Sequence, residues 1–138
     1  MRKRIPVILA GCLLAIGLCG AAVTGPLEDA ASAREHKDFG AALRLLRPLA
    51  DQGDAAAQEA LGQMYQNGEG APLDAAVAAA WFRKAADQGR AGAQESLGFM
   101  YEFGAGVPAD KAEAARWLKK AADQGDDAAQ EELRNVVR

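Results

Sequence analysis

His36 and Ser32 stand four residues apart, the nearest approach in this sequence to a base and a nucleophile on one helix face. The pair is a poor one. The chain holds one histidine and two serines, Ser32 and Ser96, and its two cysteines, Cys12 and Cys19, lie near the start. A solvated histidine on a short helix accounts for His36 without catalysis. A transition-metal site needs a set of imidazole or thiolate ligands that such a chain does not offer. No catalytic residue, metal or cofactor is expected.

Carboxylates are numerous enough for an acid–base pair acting on a glycan. Glu59, Glu95 and Glu131, however, recur at a spacing of 36, each early in a predicted helix where negative charge suits the helix dipole. Arg83-Lys84 and Lys119-Lys120 recur late in other helices, where positive charge suits it. The loops GEGAP and GAGVP lack the Gly-Lys-Ser/Thr and the preceding strand that a phosphate-binding loop requires. They read as turns.

These residues recur because most of the chain repeats. Asp51-Gln-Gly53 returns as Asp87-Gln-Gly89 and Asp123-Gln-Gly125, and KAADQG occurs whole at 84–89 and 120–125. A fixed period in this range marks an array of supersecondary units. Each period predicts two helices. Helix A, from about 55 to 66, ends where NGEGAP breaks it; helix B, about 74 to 87, has Asp74 at its N-cap and Gly89 beyond its end. In the next copy, Asp110-x-x-Glu113 has the form of a charged capping box. The fold class is therefore all-α, an α-solenoid of antiparallel helical hairpins with a 36-residue period, two full repeats and a capping half-repeat at each end.

The framework columns are Gly62 and Gly98, Trp81 and Trp117. Glycine in mid-helix costs roughly 1 kcal/mol against alanine, so a neighbouring helix or a Trp ring is expected to need the space. The tryptophans are expected to fill the core of each helix pair.

The pattern A-x-x-x-LG-x-MY-x-x-G-x-G-V/A-P-x-D-x-x-x-A-x-x-W-x-x-KAA-x-QG, present over 57–89 and 93–125, resembles the Sel-1-like repeats, a subset of the tetratricopeptide-like solenoids. The resemblance implies stacked hairpins, helix A lining a concave surface, and an adaptor role between proteins with no shared catalytic site. One branch of the family, linked to β-lactam chemistry, carries cysteine pairs inside its repeats; this chain has none, so that activity is not transferred.

The first residues, MRKRIPVILAGCLLAIGLCGAAVTG, have the basic start, apolar run and small-residue ending of a secretory signal. Residues 1–22 are read as that signal, with an uncleaved inner-membrane anchor as the rival. LAGC at 9–12 also raises acylation of Cys12, although LLAIGL follows where a lipoprotein would have a polar linker. Residues 23–37 would form a linker and capping helix, and 38–138 the repeat domain, with full repeats near 51–86 and 87–122 and a cap at 123–138. The expected location is the periplasm or outside the cell. Without its first 22 residues the chain carries 13 basic and 19 acidic residues, a net charge of −6. That argues against nucleic acid and favours a protein or peptide partner with a basic patch.

Where the repeats differ, binding is sought. Gln63 and Asn67 become Phe99 and Phe103. At spacing i, i+4 the phenylalanines suit either a binding patch or packing on the adjacent helix, and both readings stand. The expected contact residues on helix A are Gln58, Gln63, Gln94, Phe99, Glu102 and Phe103. So small a platform also makes homodimerisation an expectation.

Overall fold

The computed structural model describes residues 25–138, and the residues read as an export signal, Cys12 among them, lie outside the described part. Seven helices follow in order: α1 (Pro26–Glu35), α2 (Phe39–Asp51), α3 (Ala55–Asn67), α4 (Ala75–Asp87), α5 (Ala91–Phe103), α6 (Lys111–Ala122) and α7 (Asp127–Val136). No strand occurs among the described residues. The odd-numbered helices are A helices and the even-numbered are B helices. Each packs on its chain neighbours, and α5 also touches α7 across α6.

Aspartate side chains start most of the helices by accepting a backbone N–H. Asp38, Asp54, Asp74, Asp110 and Asp126 take the N–H of Ala41, Ala57, Val77, Glu113 and Ala129 respectively. Arg90 occupies the same place before α5 and makes no cap. The expected capping box at α6 forms only by half. The Asp110 N–H donates to Tyr101 O at 2.8 Å, and Glu113 pairs with Arg116 at 3.4 Å instead.

The two glycines of each A-to-B loop have separate tasks. Gly68 and Gly104 adopt φ of 70° and 68° to close the A helix, with the next N–H returning to Met64 O or Met100 O. Gly70 lies so close to the Phe39 carbonyl of α2 that a Cβ would come within 2.9 Å of it. The loop is thereby seated on the start of the preceding B helix.

The core is divided between repeats, and one pair of residues on each B helix makes the division. Trp81 packs with Leu46, Leu61 and Met64 of the preceding helices, while Phe82, next in sequence, packs with Leu97, Met100 and Trp117 of the following ones. Trp117 and Leu118 repeat the arrangement, Leu118 joining Ala121 and Ala129 beneath α7. Consecutive residues on a helix point about 100° apart, so one B helix serves two layers. The expectation for glycine resolves to the neighbouring helix rather than the tryptophan. A Cβ on Gly62 would lie 2.7 Å from the Phe82 ring, and one on Gly98 2.5 Å from Leu118 Cγ.

Candidate partner-binding face

Two expected contact residues are not on the surface. Gln58 and Gln94 are each only 4% exposed. Gln58 donates to Ala50 O at 3.1 Å and accepts from Gln88 Nε2 at 2.8 Å; Gln94 does the same with Ala86 O and Gln124. A buried carboxamide must find partners for both its ends, and these find them inside the solenoid. They are corrected to framework residues.

The basic residues late in the B helices do more than answer a dipole. Lys84 and Lys120 lie 4.3 Å from the centroids of Trp81 and Trp117. Each ring also meets an arginine of the preceding B helix: Arg47 at 5.6 Å for Trp81 and Arg83 at 5.7 Å for Trp117. The lysine contacts lie within one helix, whereas the arginine contacts couple one repeat to the next. The same arginines donate to Tyr65 and Tyr101, so both tyrosine hydroxyls are tied into the framework.

On the A side the two full repeats part company. In the first, Arg34 of α1 donates to Gln63 Oε1 at 3.1 Å and to Glu69 Oε2 at 3.0 Å, and Asn67 donates to Glu69 Oε1 at 3.0 Å. One guanidinium and three polar side chains close that surface upon themselves. Thirty-six residues on, Gln63, Asn67 and Glu69 are replaced by Phe99, Phe103 and Ala105. Phe103 is 71% exposed and Phe99 half-buried, and neither belongs to any of the three core clusters. The phenylalanines stand out in the sequence as a polar-to-aromatic change, whereas Glu69 and Arg34 gain their meaning only from the contact between them.

Acid gathers on the same side. Counting each helix with its caps, the A helices hold eleven acidic and three basic residues, the B helices seven acidic and eight basic. The net charges are −8 and +1, so the acidity of the chain belongs to its A face. Beside the phenylalanines, Glu102 has one carboxylate oxygen, Oε2, shut away from water with no hydrogen-bond donor. Desolvation lifts its carboxyl above the ordinary value, the neighbouring acid Glu132 of α7 adds to that, and Lys111 opposes it. Glu95 is lifted too, by desolvation first and then by Asp126.

No pocket encloses a small ligand among the described residues, no group of three or more His, Cys, Asp or Glu is placed to hold a metal, and no helix is long and apolar enough to cross a membrane. The Sel1 repeat model matches the chain over residues 36–54, 55–89 and 91–126. The chain belongs to the Sel1 repeat family.

Sel1 repeats commonly build protein-interaction scaffolds and are typically non-catalytic. Among solved structures, the chain is similar to a protective antigen of uropathogenic Escherichia coli strains displaying an SLR fold. The identity is 42%, the TM-score 0.74, and the match covers 76% of this chain and 23% of the antigen. It is also similar to a Sel1 repeat protein from Oxalobacter formigenes, at 44% identity and a TM-score of 0.69, covering 70% of this chain and 28% of that one. The match thus spans about a quarter of the length of either relative. No curated protein matches.

Proposed function

We propose that this Sel1 protein is a noncatalytic scaffold of the bacterial cell envelope that binds a protein or peptide segment on its A face, over α5 and α7. One observation carries the reading. Where the first repeat closes its surface with Arg34, Gln63, Asn67 and Glu69, the second presents Phe99 and an exposed Phe103 amid carboxylates. A matching partner brings an apolar residue for the rings and lysine or arginine for Glu95 and Glu102. Aromatic anchors of this kind dominate interface energies, and charge complementarity sets association rate and specificity.

The envelope location rests on the signal-like residues 1–22, and the mass of the chain recovered from cells tests whether they are removed. A retained mass would instead favour a membrane-tethered scaffold. Binding is tested by chemical cross-linking in envelope extract, with the full chain beside a Phe99→Gln/Phe103→Asn variant that restores the residues of the first repeat. Capture by the parent alone supports the assignment of the face. Equal capture by both places the contact elsewhere.

A further inference from the structure

The junction between α3 and α5 is held by an ion pair that its counterpart lacks. Arg90 Nε donates to Glu59 Oε2 at 2.7 Å, and Glu59 is nearly buried. One period later Glu95 takes the place of Glu59, while Asp126 takes that of Arg90. Asp126 is not free to turn away, because its carboxylate caps α7 through the N–H of Ala129 at 3.0 Å. Further along the same contact, Glu102 of α5 meets Glu132 of α7. The last A helix therefore meets its neighbour through two acid–acid pairs.

Other charges near α5 are engaged elsewhere or too few. On α3, Glu59 is paired with Arg90; on α4, Arg83 serves Tyr101 and Trp117. On α6, Lys111 alone acts favourably on Glu102. Arg134, on α7 itself, is exposed and forms no salt bridge with any of the four acids. The helix so repelled is also weakly anchored, since Ala129 is its one fully buried residue, with Leu133 and Val136 partly buried. Elements of low burial open first.

We propose that α7 is a proton-controlled cap: like charges along its contact with α5 loosen it at neutral pH, and acidification locks it down. A carboxyl that holds its proton more tightly in the docked state favours docking at low pH. The advantage is lost as pH rises above the ordinary carboxylate range and through the higher docked-state value. Burial and the facing acid displace Glu95 and Glu102 in that direction.

The test is hydrogen exchange of the full chain at about pH 5 and pH 7, read as protection factors corrected for intrinsic rates, with α3 and α4 as the internal reference. Protection of α7 amides relative to that reference should be higher at the lower pH, by more than the spread among the α3 and α4 amides. A Glu95→Gln/Glu102→Gln variant should show the higher protection at both pH values. A Glu59→Gln variant leaves the α7 response intact. Unchanged or falling protection of α7 on acidification overturns the proposal. So does a rise that persists in the double variant, because the protons would then be acting elsewhere. Should the double variant fail to fold, Asp126→Asn, which keeps a capping side chain, must reduce the pH response or the proposal is overturned.

Discussion

Gln88 donates one side-chain N–H to Gly53 O at 2.9 Å and another to Gln58 Oε1 at 2.8 Å, tying each repeat-ending turn to the one before. Gln124 does the same to Gly89 O and Gln94. This is the physical reason for spelling one hexapeptide twice: every repeat must present the same staple to the next. Gln58→Ala removes the acceptor and also strands Ala50 O, so it should cost about 2–3 kcal/mol in urea unfolding. Gln130→Ala, which loses one exposed 3.3 Å bond to Ala122 O, should cost under about 0.5 kcal/mol. Equal costs would show that the staple stabilises nothing.

Glycine to alanine should change sign with position. At Gly62 the added Cβ meets the Phe82 ring at 2.7 Å, so overpacking of about 1–3 kcal/mol outweighs a helix gain of about 1 kcal/mol. At Gly40, in the first turn of α2, the nearest atom is Arg44 Nη1 at 3.6 Å, and alanine should stabilise by up to about 1 kcal/mol. Thermal unfolding of the two variants measures both. A raised Tm for Gly62→Ala would mean that the Phe82 ring yields without penalty.

Reverting the aromatic pair should act on binding and not on folding. Phe103 is mostly exposed and Phe99 lies outside the core clusters, so Phe99→Gln/Phe103→Asn should leave the Tm within about 2 °C. The affinity for a captured partner should fall about 30-fold, the loss of one hot spot near 2 kcal/mol. The parent's affinity should weaken with added salt, because the partner's cations face the A-side acids. Titration calorimetry at two ionic strengths reads both effects. A salt-independent affinity would contradict the charge complementarity.

The period, the helices and their aspartate caps were legible because each repeat must reuse the same interfaces. The same constancy marks Gln58 and Gln94 as framework rather than contact residues. They recur without change and are joined by Gln130, whereas Gln63 and Asn67 vary. What one sequence does not disclose is direction. Trp81 and Phe82 are both large and adjacent, and only the packing assigns one to the preceding layer and the other to the following one. Arg34 was equally hidden, because the connection from α1 to α2 is shorter than the later A-to-B loops and places α1 outside the 36-residue register.

The column Asp54, Arg90, Asp126 offers the sharpest single substitution. Arg90 gives up the capping that both aspartates perform and gains the bond to Glu59, with Gly92 leaving room for the carboxylate. Arg90→Asp should regain a cap worth about 1 kcal/mol. It also leaves a nearly buried Glu59 without its cation and facing an acid, at a cost of about 3 kcal/mol or more. The net expectation is destabilisation of about 2 kcal/mol at neutral pH. Urea unfolding of the variant beside the parent at neutral pH measures the difference, and a variant as stable as the parent would show that the cap, not the ion pair, governs this position.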